Sequence, residues 1–101
     1  MKPEDFGLSV EVEIITPEQA QAYLDNNFKH RPIKDERVNK YADKMNNGDW
    51  KLNGKSIIFD ETGQLRNGQH RLSAVVASGK SLTTLVVRGV KISAFSDNPS
   101  V

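Results

Sequence analysis

From Leu8 to Ile15 the chain alternates apolar and polar residues (Leu-Ser-Val-Glu-Val-Glu-Ile-Ile), and the alternation stops abruptly at Thr16-Pro17. A repeat of two puts Leu8, Val10, Val12 and Ile14 on one face of an extended segment, the pattern of a half-buried strand. Immediately after it stands a helix start. Thr16 can cap the free amides, Pro17 suits the first helical position, and Gln19 completes a capping box. A chain that switches from a period of two to a helical pattern within two residues is committed to mixing strands and helices.

The rest of the chain keeps that alternation. Ala20, Tyr23 and Leu24 supply the apolar stripe of the first helix, and Asn26-Asn27 ends it. Pro32 forces Arg31 towards an extended conformation. A second helix is predicted from about Lys34 or Asp35 to Asn47, stopped by Gly48, with Val38, Tyr41, Ala42 and Met45 facing the core. Arg37, Lys40 and Lys44 lie beside that stripe. Residues 49–55 form a loop holding Trp50. Ser56 to Asp60 is a short apolar strand, Glu61-Thr62-Gly63-Gln64 has turn chemistry, and Leu65-Arg66 is a return strand. A third helix opens at Asn67-Gly68 and stops at Gly79, and residues 81–90 form the last strand. The expected class is α+β, a small mixed sheet packed with two to three helices. Residues 1–7 read as a polar lead-in, 8–90 as a single domain and 91–101 as a polar tail.

Composition narrows the chemistry. The 101 residues include no cysteine, which excludes disulfide scaffolds, cysteine zinc fingers and thiol nucleophiles. No apolar run is long enough to span a bilayer and no secretory signal opens the chain, so a cytoplasmic protein with no membrane partner is expected. The net charge of +1 is unevenly spread. Residues 1–28 carry one lysine against six acids, residues 29–51 seven basic against four acidic residues, and residues 52–101 six against three. A basic remainder can present phosphate-binding surface, or can be ordinary surface charge.

Residues 57–72 carry the chemical interest. A strand and tight turn lead into a helix whose first turn reads Asn67-Gly68-Gln69-His70-Arg71. Helix N-termini expose unpaired amides and bind phosphate readily. Gly68 would let the backbone approach an oxygen closely, Arg71 can pair with a phosphate in two-pronged fashion, and His70 can act as an acid or base near neutral pH. Alternatively, Asn67 is merely a helix cap, Gly68 a turn residue, and His70 and Arg71 solvated. Cations in a first turn oppose the helix dipole, by about a few tenths of a kcal/mol each, and an anionic ligand would relieve that. Asp60 could hold Mg2+ on a bound nucleotide or serve with His70 as a catalytic group, or simply open the hairpin turn. Lys29-His30-Arg31 with Arg37, Lys40 and Lys44 could track a nucleic-acid backbone, or form a solvated face diluted by Asp35, Glu36 and Asp43. Trp50 could stack on a base or belong to the core.

The segment Asn67-Gly68-Gln69-His70-Arg71-Leu72, with Gly63 and Leu65 before it and Ala74 and Gly79 after it, resembles the Gly-x-[His/Arg]-Arg signature of the ParB/sulfiredoxin superfamily. It is most similar to the Asp-Gly-Gln-His-Arg branch, which includes DndB-like and phage-borne proteins. Further similarities are Ile15-Thr16-Pro17, Arg31-Pro32, Arg37-Val38, Tyr41-Ala42, Gly48-Asp49-Trp50, Asn53-Gly54, Ile58-Phe59-Asp60 and the run from Val86 to Val90. The resemblance implies a nucleotide (CTP, ATP or ADP, with Mg2+) held at Asn67 to Arg71, and it leaves association with DNA open. It also admits a nuclease or phosphotransferase using the same box, or a small phage interaction protein that binds a host protein or nucleic acid. Sulfiredoxin chemistry is excluded, because Gln69 stands where that enzyme places its cysteine. Asn67 replaces the branch's Asp, and no second box of the Glu-Asn-x-x-Arg kind is present, so a DNA-reading module is expected to be missing.

Overall fold

A computed structural model of the chain describes residues 7–27 and 32–97. Four strands form one mixed sheet: β1 (Ser9–Ile15), β2 (Ser56–Asp60), β3 (Leu65–Asn67) and β4 (Leu82–Val90). Their order is β1-β4-β2-β3. β4 runs antiparallel to β1 and parallel to β2, while β3 returns antiparallel on β2. Helices α1 (Pro17–Asp25), α2 (Asp35–Asn46) and α3 (Gln69–Ser78) lie with the sheet, α3 packing against both others. This is a small α+β fold.

Local chemistry accounts for the boundaries. At α1 the capping box forms as expected, with the Thr16 hydroxyl accepting from the Gln19 amide and the Gln19 side chain accepting from the Thr16 amide. α2 buries Val38, Ala42 and Met45. α3 ends at Gly79 in the left-handed conformation, whose amide donates to Val75. The core gathers Ile15 and Ala20 from the first unit, Ile57, Phe59 and Leu65 from the hairpin, Leu72, Ala74 and Val75 from α3, and Leu82 and Val86 from β4. Trp50 packs on that core edge-to-face with Tyr41, ring centroids 5.5 Å apart.

Two sequence expectations are corrected. The segment after Val90 is not only a polar tail: residues Ile92–Asp97 form a short helix, α4, whose Phe95 ring lies 4.6 Å from the Arg66 guanidinium. The second concerns β1. The face of β1 that meets the helices carries Glu11, Glu13 and Ile15, and only Ile15 is buried. Val10, Val12 and Ile14 point the other way and are 59, 55 and 67% exposed. Their cross-strand neighbours on that outer face are Val87, Leu85 and Thr83. Alternation identified the residues sharing a face, but the helix layer reaches only the Ile15 end of this edge strand. Apart from the border covered by α4, the outer face of the sheet has no helix on it among the described residues.

Candidate phosphate-binding site

The Asn67–Arg71 segment sits where the hairpin turns into α3. Asn67 ends β3, and Gly68 is the residue that precedes the first helical turn, with no side-chain cap. Asn67 is therefore not the helix cap that the sequence suggested. Gly68 adopts φ of 112°, and a Cβ there would stand 2.3 Å from Ile57 Cδ1. The glycine is required by the close approach of α3 to β2 and by its left-handed backbone. That requirement exists without any ligand. Gln69 Oε1 accepts a 2.6 Å hydrogen bond from Asn27 Nδ2, which ties the start of α3 to the end of α1.

His70 reaches across to α2. Its Nε2 accepts the backbone N–H of Lys34, the residue preceding α2, at 3.1 Å. Burial, then the nearby Arg37 and Lys34 charges, push the His70 pKa below the usual histidine value. An imidazole accepting at Nε2 is neutral and carries its proton on Nδ1. The beginnings of two helices thus meet at His70, with Lys34, Arg37 and Arg71 bringing positive charge to them. Asp35 and Glu36 compensate the start of α2, whereas the first turn of α3 contains no acid.

Arg71 is the unusual member. It is 9% exposed, and its Nη2 donates to the Ser56 carbonyl at 2.9 Å. Nη1 is buried without a hydrogen-bond partner, and no carboxylate pairs with the guanidinium among the described residues. Burial depresses its pKa, partly offset by Tyr41.

Asp60 lies elsewhere. It closes the carboxyl end of β2, while Arg71 is bonded to the amino end; four strand steps separate the two ends by about 13 Å. Oδ1 of Asp60 accepts from the Thr62 hydroxyl and from the Thr62 and Gln64 amides, and Oδ2 accepts from Arg66 Nε at 2.7 Å. Burial alone would raise its pKa, but these hydrogen bonds outweigh burial and hold it below the ordinary carboxylate value. Asp60 is a turn-building residue here. The structure does not bring it to His70, and no group of three or more metal-ligating side chains occurs among the described residues.

Arg37, Lys40 and Lys44 are all exposed on α2. Arg37 acts on His70, whereas Lys40 and Lys44 stand one and two turns farther on. Residues 29–31 lie outside the described residues.

A concavity away from the start of α3 was not anticipated. Tyr23, Asn26, Phe59, Glu61 and Arg88 help to line a cavity of about 400 Å3 beside the carboxyl end of β2. Arg88 pairs there with Glu13, donates to the Tyr23 hydroxyl at 3.1 Å and lies over the Phe59 ring. The hydrogen bond with Glu13 raises its pKa, more than burial lowers it. The signal for this cluster was a lone charge inside an otherwise uncharged strand, residues 82–90. No helix among the described residues is long and apolar enough to cross a membrane. No family model matches the chain, and neither the curated proteins nor the solved structures contain a match to it.

Proposed function

We propose that the chain is a ParB/sulfiredoxin-like domain that binds a phosphate-bearing ligand, a nucleotide of the CTP or ATP type with Mg2+, at the start of α3. The observation that carries this reading is Arg71, a buried guanidinium whose Nη1 has no hydrogen-bond partner and which has no counter-charge among the described residues. A buried charge without a partner is costly, and a phosphate oxygen at Nη1 would supply both the missing acceptor and the missing charge. The uncompensated start of α3 and the Lys34 and Arg37 charges favour the same kind of ligand. In this reading His70, whose Nε2 is taken by the Lys34 amide, holds the ligand's edge or donates to it through Nδ1. Asp60 has no part in this reading, and binding is proposed without a reaction.

Thermal melts in the presence of CTP, ATP, ADP or pyrophosphate, each with Mg2+, test the reading. A ligand at ten times its Kd adds about 1.4 kcal/mol to stability, a rise of several degrees in Tm for a domain of this size. The rise is expected to vanish in Arg71→Met. No shift with any of these ligands at millimolar concentration, or an equal shift in Arg71→Met, would overturn it.

A further inference from the structure

His70 joins the starts of two helices through a hydrogen bond that only a neutral ring can make. Its Nε2 accepts the Lys34 amide at 3.1 Å, and Lys34 precedes α2, whose start has no side-chain cap. A protonated imidazole has no free lone pair and donates from both nitrogens, so protonation breaks this bond. Burial keeps the proton off, and Arg37 and Lys34, which face the ring from α2, act in the same direction. Asp35 and Glu36 share that first turn of α2, while the first turn of α3 adds Arg71 and no acid. The end of α1 brings the neutral contact of Asn27 with Gln69.

We infer, resting on the phosphate-binding reading of this site, that binding of the anion takes up a proton at His70 and turns Nε2 from an acceptor of the Lys34 amide into a donor to the anion. An anion beside Arg37 and Lys34 offsets the same charges that disfavour the imidazolium, and its own charge favours it. The proton comes from solvent and goes to Nε2, and the Lys34 N–H loses its acceptor and is left to donate to the anion as well. The exchange gives up one internal hydrogen bond. In return the site gains a second ring N–H, the Lys34 N–H and one positive charge. The two equilibria are reciprocal: a ligand that makes His70 hold a proton more tightly is itself held more tightly as pH falls. Affinity changes by up to about tenfold per pH unit between the His70 pKa values of free and bound protein, and is level outside that window.

Isothermal titration calorimetry of the full chain with pyrophosphate or ATP, each with Mg2+, from about pH 5 to about pH 8, covers the span in which histidine titrates. The proteins compared are the parent, His70→Gln and Arg71→Met. Glutamine can offer the Lys34 amide an acceptor but cannot take up the proton. The ligands titrate in the same range, equally with either protein, so the difference between parent and His70→Gln isolates the ring. As pH falls, the parent is expected to gain about tenfold in affinity relative to His70→Gln. It should also take up more protons per ligand, measured in buffers of different ionisation enthalpy. NMR titration of the His70 ring, which needs no variant, should show it protonating at higher pH with ligand than without. Equal pH dependence in the two proteins overturns the inference, as does a ring that titrates at the same or lower pH with ligand. In either case binding that is lost in Arg71→Met leaves the site itself standing. Absence of binding to the parent at every pH overturns the site and the inference together.

Discussion

β2 has a buried charge at each end, and the two are treated in opposite ways. At the carboxyl end, Asp60 is 2% exposed and receives four hydrogen bonds, one from the Arg66 guanidinium. At the amino end, Arg71 is nearly as buried and bonds one carbonyl, with Nη1 unpartnered. A satisfied buried charge is architectural, because its partners fix the turn that it closes. An unsatisfied one is held in place by the rest of the fold at a cost that a ligand can remove. Of the two residues, the sequence motif alone could not tell which was which.

The contrast is most open to challenge at Asp60. Asp60→Ala takes the carboxylate away from Arg66 and from two turn amides, and removing one member of a buried ion pair typically costs about 3–5 kcal/mol. Urea unfolding should show a loss of that order, and a loss below about 1 kcal/mol would demote Asp60 to an ordinary turn residue. Arg71→Met should behave differently in the absence of ligand. It loses one hydrogen bond and removes an uncompensated charge, so stability should stay within about 1 kcal/mol of the parent. A loss matching that of Asp60→Ala would make Arg71 structural. His70 gives the smallest effect, read from Tm against pH. Its folded pKa is depressed below about 6.5, so the unfolded chain takes up a proton that the folded chain refuses. Stability is fully present above that value and declines as pH falls from it to the folded pKa. His70→Asn should flatten this decline, and a bound phosphate should also reduce it by favouring the protonated ring.

How much of the fold and site was readable beforehand depended on whether the cause was local. The start of α1 was readable because Thr16, Pro17 and Gln19 act within one turn. β1 was readable as a strand but not in its orientation. Periodicity states which residues share a face, and only the placement of the helices decides which face they cover. α4 escaped because Ser93 and Asp97 interrupt any apolar stripe over so short a length. The box was found, but its roles were redistributed: Gly68 serves the contact with Ile57, Gln69 meets Asn27, and His70 bonds a residue 36 positions earlier. Those partners are brought together only by the fold. The isolation of Arg71 is the same kind of property, since a missing counter-charge is visible only once every neighbour is known.

The pairing of β1 with β4 also governs the order of assembly. Val10 pairs beside Val87, so among the four described strands β1 has no neighbour to join until β4, made later, is available. Until then an alternating aliphatic segment waits in the open, the kind of sequence that seeks the same segment of a neighbouring chain. Glu11 and Glu13 interrupt it at every second position and act as gatekeepers during that interval. Once β4 arrives, Glu13 changes employment and becomes the partner of Arg88.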